Sequence, residues 1–327
     1  MTIHTLRKKL EPTLLKRPGI TGVGNVGNTL RIYVEGTDRD FPTKIDGHPV
    51  EVFTTGKIKA LNQATQFYQP QAFSGVPWTV PGLALDPLRT QKYMPVPGGV
   101  SIGHPSITAG TNGVSLKFLR IPFGLSNNHV LAAGSTIEFP KASLGDVIIQ
   151  PGSYDGGTLE DAVGTLYWYM PIDTVGSNLI DAALWQPYAP EVLADDILDI
   201  GVPKGIGTVK VGDMVQKSGR TSGLTMGEVI DIDATIRVGY GSFEADFHNQ
   251  IITDVIGDPG DSGSAVLDTT GPNLVGLLFA GSNYVTVHNH IGNVLDAIGT
   301  TIQPGAVAGP LPITFLLSYA TLFLSLI

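Results

Sequence analysis

The chain has 327 residues with no cysteine, 41 Gly and 23 Pro; 42% are hydrophobic, 15% are charged, and the formal net charge is −9. This length allows a large core and two or three structural units, while the missing thiols exclude disulfides, Cys-ligated zinc and a cysteine nucleophile. Low charge argues against disorder or a coiled coil, dense Gly and Pro suit many short strands, and the acidic balance gives no reason to expect nucleic acid as a partner.

In chain order, Arg7, Lys8, Lys9, Lys16 and Arg17 face Glu11 alone, and no apolar run of signal-peptide length follows. With the absent cysteines, this reads as a cytoplasmic rather than an exported chain. Ile3, Leu6 and Leu10 recur at helical spacing and predict a short amphipathic helix with a solvated basic face, which Pro12 should end or bend. Apolar runs at 20–23, 30–34 and 50–53 complete a small α/β module over residues 1–68. Gly22, Gly24 and Gly27 satisfy G-x-G-x-x-G, yet Leu30-Arg-Ile-Tyr-Val34 follows as a strand signal. A glycine-rich hairpin is expected there, not a dinucleotide site.

Residues 69–99 hold Pro70, Pro77, Pro81, Pro87, Pro95 and Pro97, which forbid regular helix and predict an extended connector. Over residues 100–300, apolar runs such as DVIIQ, AVGTLYWYM, GEVIDIDATIRV and NLVGLLFAG alternate with turn residues, the pattern of β-barrels or a sandwich. Ile291, Val294, Leu295 and Ile298 form a helical stripe ahead of Gly299 and predict one closing helix. No charged residue follows Asp296. The uncharged tail, 301–327, has two readings: a membrane tether through 311–327, which would make about 25 Å of helix, or a packed or oligomer-forming segment.

Three segments carry chemistry. Gly-Asp-Pro-Gly-Asp-Ser-Gly-Ser at 257–264 offers a serine nucleophile, Ser262, in a glycine-rich turn whose N–H groups, those of Gly260 and Ser262, can be aimed at an oxyanion. Ser126-Asn-Asn-His129 places an imidazole at the end of an apolar segment. Ile180-Asp181-Ala-Ala-Leu-Trp185 places a lone carboxylate in a strand that should be buried, where it needs a partner. The order His129, Asp181, Ser262 is one of the known orders of a Ser-His-Asp triad.

These segments resemble those of trypsin-like serine peptidases of the chymotrypsin fold. The likeness is closer to a cysteine-free bacterial subgroup related to the plant Narrow-leaf proteases. It is carried by Gly98-Gly-Val-Ser-Ile-Gly-His104, Thr108-Ala-Gly-Thr111, Ser126-Asn-Asn-His129, Lys217-Ser-Gly-Arg-Thr221, Gly260-Asp-Ser-Gly-Ser264 and Gly276-Leu-Leu-Phe-Ala-Gly-Ser282. It implies a mainly β fold of two six-stranded barrels with the site between them, His129, Asp181 and Ser262 as catalytic residues, the Gly260 and Ser262 N–H groups as oxyanion hole, and a protein or peptide substrate without cofactor or metal.

In secreted relatives the aspartate matching Asp261 pairs with a new N-terminus made by cleavage; no activation site is evident here. The position that is acidic in Arg/Lys-directed relatives is Ile256, so an apolar or small P1 side chain is expected, unless Asp254 or Asp258 intrudes. Gly281 would leave the pocket mouth open and Phe279 would line the strand on which substrate pairs. His288-x-His290 reads as a helix start, and Asp231-x-Asp233 and Asp195-Asp196 as turn or strand-edge carboxylates. Arg220 is expected to pair with a carboxylate. Two alternatives to a general endopeptidase stand: a protease that cuts itself or one partner, with the N-terminal region as inhibitor or recognition element, and an inactive peptide-binding pseudo-peptidase. The sequence leaves the oligomeric state open.

Overall fold

The computed structural model describes residues 1–37, 40–61, 86–118 and 120–299. The uncharged tail and residues 69–85 of the connector lie outside the described residues. The N-terminal module comprises α1 (Ile3–Leu14), β1 (Ile20–Val26), β2 (Thr29–Val34), β3 (Lys44–Ile45) and β4 (His48–Thr54). Thr2 caps α1 by accepting the Thr5 N–H, Leu6 is buried, and Leu14 and Leu15 pack in one cluster with Val23, Leu30 and Ile32 of the hairpin β1–β2. Each such buried aliphatic side chain contributes about 1.5–3 kcal/mol.

There follow β5 (Lys59–Ala60), α2 (Pro87–Thr90), β6 (Val96–Gly98), β7 (Ser101–Ile102), β8 (Gly110–Thr111), β9 (Val114–Phe118), β10 (Ile121–Ser126), α3 (Asn128–Leu131), β11 (Val147–Ile149) and β12 (Ala162–Tyr169). The rest of the described chain forms β13 (Ser177–Asn178), β14 (Ala183–Pro187), β15 (Leu193–Ile197), β16 (Gly205–Ile206), β17 (Met214–Gly219), β18 (Gly223–Gly239), β19 (Glu244–Thr253), β20 (Ala265–Asp268), β21 (Asn273–Gly281), β22 (Thr286–His290) and α4 (Ile291–Ile298).

Pairing closes two rings. In the first, β9, β10, β14, β12 and β11 are successive neighbours, the bridge Gly103–Ile149 joins β11 to the end of β7, and β7 pairs with β8, which the chain carries directly on into β9. In the second, β17, β18, β19, β22, β21 and β20 pair in turn, and β20 pairs back onto β17. The fold is therefore mainly β, with two six-stranded barrels of chymotrypsin type and a closing helix. β21 is buried along nearly its whole length because α4 and β5 cover what the barrel interior does not. Ile291, Val294, Leu295 and Ile298 of α4 are all buried, and Gly299 caps the helix with φ 78°.

β18 is 17 residues long and outruns its barrel. β1 pairs with its far half at Gly22–Ile236 and Val23–Thr235, so the module extends the sheet of the second barrel. Side chains reinforce this seam. The Tyr33 hydroxyl donates to Asp231 Oδ2 at 2.5 Å, Arg7 Nη1 lies 2.6 Å from Asp233 Oδ2, and Arg237 Nη1 donates to the Leu15 carbonyl at 2.8 Å.

Four expectations are corrected. α1 runs through Pro12, because the Leu15 N–H resumes bonding to the Glu11 carbonyl while Leu14 and Leu15 are held in the core. Arg7 is buried on Asp233 rather than on the solvated basic face. Asp231 is not a surface turn residue; it is buried within β18 beneath Tyr33. The connector holds one helical turn, α2, because Asp86 caps it and Pro87 sits at the first position, where no N–H is needed.

Candidate active site

β10 delivers the chain to α3, whose one turn carries His129. Asn128 Nδ2 pins that turn by donating to the carbonyls of Ser135 and Met170, at 2.9 and 2.6 Å. Asp181, just before β14, is 0% exposed and His129 is 1% exposed. A carboxylate at this depth costs several kcal/mol unless donors surround it. It accepts from His129 Nδ1 at 2.6 Å, from the His129 N–H at 3.2 Å and from the Tyr240 hydroxyl at 2.8 Å. Asn289 and Asn127 hold its backbone, accepting its N–H at 3.0 Å and donating to its carbonyl at 2.6 Å. An ionised carboxylate only accepts, so Nδ1 carries the proton and the Nε2 lone pair is left free. Nε2 is buried with no hydrogen-bond partner among the described residues.

Tyr240 was not foreseen from sequence, since 59 positions separate it from Asp181 and no local pattern marks it. Burial and then the charge of Asp181 raise its phenol well above the ordinary range, so it stays a donor. Its ring stands edge-on to His129, centroids 5.9 Å apart. Tyr240→Phe is expected to lower kcat by about tenfold with KM unchanged, the effect of removing one hydrogen bond to a charged group. Steady-state kinetics check this.

The loop at 257–264 joins β19 to β20. Gly260 has φ 103°, and a Cβ there would lie 2.3 Å from Thr221 Oγ1, so only glycine presents its N–H this way. Thr111 ties the loop to the first barrel. Its N–H donates to the Ser262 carbonyl at 2.7 Å, its hydroxyl to the Gly260 carbonyl at 2.9 Å, and its own carbonyl accepts from Ser126 Oγ at 2.7 Å. Asp261 is buried with Lys217, Nζ to Oδ2 3.0 Å, both side chains 0% exposed. It also accepts from the N–H groups of Thr221, Ser222 and Asp258. Burial alone would raise this carboxyl, but the Lys217 charge and these donors hold it below the ordinary range. An internal lysine thus neutralises the aspartate that precedes Ser262. Arg220 forks onto Asp155 nearby, Nε to Oδ2 2.9 Å.

Asp258 behaves oppositely. Burial first, and then the charge of Asp261, push its carboxyl up to about 6. Because the folded value lies above the ordinary one, its ionisation opposes folding, and stability falls as pH rises from about 4 through 6. Asp258→Asn should raise stability at pH 8 by up to about 2 kcal/mol and leave it unchanged near pH 4. Thermal melts at the two pH values check this.

Ser262 is 0% exposed, and its Oγ donates to the Phe279 carbonyl at 3.1 Å rather than to His129. The Phe279 carbonyl also accepts the Leu61 N–H at 3.2 Å, and the Gly260 N–H donates to the Leu61 carbonyl at 2.7 Å. The Phe279 side chain points away into the second barrel, its ring centroid 4.8 Å from that of Phe247, so only its backbone faces the serine. Ile256 packs with Leu61 and Leu278 in one buried cluster, and a Cβ on Gly281 would lie 3.4 Å from Leu61 Cδ1. Asp254 is exposed and accepts the Glu228 N–H. His288 lies in β22, is held neutral by burial, which lowers it to about 3, and bonds Thr253 Oγ1; His290 ends β22 immediately before α4, makes no side-chain cap bond to that helix, and bonds the Ile232 carbonyl. Among the described residues no group of three or more His, Cys, Asp or Glu could hold a metal ion.

No family model matches the chain. Serine protease 2 of Streptomyces fradiae is 40% identical over 78 residues, 24% of this chain and 42% of its own length. Streptogrisin-A of Streptomyces griseus is 36% identical over 101 residues, 29% of this chain and 32% of its own length. The chain therefore spans less than half the length of these curated relatives. Among solved structures, Thermobifida fusca Protease A superposes with a TM-score of 0.47 at 19% identity, covering 65% of this chain and 99% of that one. Cellulomonas bogoriensis chymotrypsin does so with a TM-score of 0.45 at 19% identity, covering 64% and 97%.

Proposed function

We propose that the protein is a serine endopeptidase that hydrolyses peptide bonds of protein substrates through His129, Asp181 and Ser262. The observation that carries this reading is the buried His129–Asp181 pair, 2.6 Å apart, with Nε2 unpartnered and the glycine-rich serine loop tied to the same barrel by Thr111. Ser262 Oγ, turned from the Phe279 carbonyl, attacks the scissile carbonyl and passes its proton to His129 Nε2. The imidazolium returns it to the leaving amine, and water then releases the acyl group by the same route. Asp181, held by Tyr240, fixes the imidazole tautomer. The N–H groups of Gly260 and Ser262 receive the oxyanion. Every step uses these side chains and water.

The pocket reading follows from Ile256. A buried isoleucine at the pocket base cannot neutralise a cation, so Leu, Phe or Ala is preferred at P1 over Arg or Lys. Kinship with the cysteine-free bacterial proteases related to the plant Narrow-leaf proteases belongs to the same proposal and rests on the six segments quoted above. Hydrolysis of peptides differing only at P1 tests the reading: kcat/KM should be at least tenfold higher for Leu than for Arg, and faster cleavage of the Arg peptide would sink it.

A further inference from the structure

The groove beside Ser262 is occupied by the chain itself. β5 lies antiparallel on β21, with Ala60 opposite Ala280 and Lys59 opposite Gly281. The Gly239 N–H donates to the Ile58 carbonyl at 3.1 Å and holds the other edge. At the end of this segment the Leu61 N–H bonds the Phe279 carbonyl at 3.2 Å, and the Leu61 carbonyl accepts the Gly260 N–H at 2.7 Å. The Leu61 side chain is 6% exposed and sits against Ile256; a Cβ on Gly257 would lie 3.5 Å from Leu61 Cδ1, and one on Gly281 3.4 Å. Covering an otherwise open edge of β21 would account for β5 alone. It does not require a carbonyl on the oxyanion donor or a leucine over the apolar pocket base. Those two features are what the site needs of a substrate residue at P1.

The geometry points to residues 58–61 as the site's own first substrate: the chain cuts itself at the peptide bond following Leu61, and the segment ending in Leu61 then blocks the groove as a retained product. This rests on the endopeptidase reading above. In the step, Ser262 Oγ bonds the Leu61 carbonyl carbon, its proton moves to His129 Nε2, and the bond to the nitrogen of Asn62 breaks as that nitrogen takes the proton. Water then adds hydroxyl to the acyl carbon and returns a proton to Ser262 through His129, leaving a Leu61 carboxylate. The cut does not release the module, because the β1–β18 pairing and the Arg7–Asp233, Tyr33–Asp231 and Arg237–Leu15 contacts all lie outside the severed bond. An external substrate must then displace residues 58–61 before it can bind.

Intact-mass analysis of the full-length protein, followed over time, is the test. Wild type should convert to two fragments with a new N-terminus at Asn62, and Ser262→Ala should remain one chain. Leu61→Asp should cut itself at least a hundredfold more slowly, yet hydrolyse an external Leu-P1 peptide faster than wild type because the groove is freed. Should that variant fail to fold, peptides decide. A synthetic peptide of residues 54–61 with a free carboxylate should inhibit hydrolysis competitively at least tenfold better than the same peptide ending in Asp, and equal inhibition would overturn the proposal. Wild type that stays whole, or is cut elsewhere, while hydrolysing the external peptide in a Ser262-dependent way overturns the self-substrate proposal and leaves the endopeptidase reading standing. Absence of both activities overturns both.

Discussion

Ser262→Ala is expected to lower kcat/KM on a Leu-P1 peptide by roughly three to six orders of magnitude, and His129→Ala by about the same. The two substitutions together should cost little more than either alone, because each disables one shared proton-transfer step rather than adding an independent contribution. The buried surroundings of His129 make this specific. Among the described residues Asp181 is the only hydrogen-bond partner of its ring, and Tyr240, Asn127 and Asn289 fix that carboxylate, so the imidazole has one tautomer and one orientation in which to act. Steady-state kinetics on the three proteins, with matched melts to show that the fold persists, measure the effect. A loss below tenfold for Ser262→Ala would mean that another group does the chemistry.

Lys217→Met is expected to destabilise the fold by about 3–5 kcal/mol, the cost of leaving one member of a buried ion pair unpaired. For a domain of this size that is a fall in Tm of roughly 6–20 °C. Asp261 loses its cation while still enclosed by the N–H groups of Thr221, Ser222 and Asp258. The sign with pH is set by Asp261: its carboxyl lies below the ordinary range, so the pair stabilises above that range and the contribution disappears as pH falls through the folded value. The gap between wild type and Lys217→Met should therefore narrow in acid. Because the pair lies directly before Ser262, kcat should fall with stability, and Lys217→Met/Asp261→Asn should recover part of the Tm. Thermal melts from pH 3 to 8 check this; a gap that is constant with pH would contradict the ion-pair origin.

Much of this arrangement was legible locally. Turn residues between apolar runs marked the strands of both barrels, the stripe from Ile291 to Ile298 marked α4, and the serine loop, His129 and Asp181 each stood in a recognisable string. Contacts between distant segments were not. Nothing beside Lys217 says that it neutralises Asp261, 44 positions away, and nothing beside Tyr240 says that it reaches Asp181. Asp231 looked like an edge carboxylate because its partner, Tyr33, arrives from the module 198 positions earlier. α1 outlasts Pro12 for a similar reason, since tertiary burial of Leu14 and Leu15 outweighs the local preference to stop. Residues 58–61 are the sharpest case. Ile-Lys-Ala-Leu carries no motif of its own, and its meaning comes from lying on β21 beneath the Gly260 N–H.

Exposure of the full-length protein to a fluorophosphonate, carried to completion and read by intact mass and fragmentation, tests the assignment of Ser262 most directly. One adduct on Ser262 is expected in wild type, with none in Ser262→Ala and little in His129→Ala. A folded wild-type protein that takes up no phosphonate, or takes it up on another residue, would contradict the assignment.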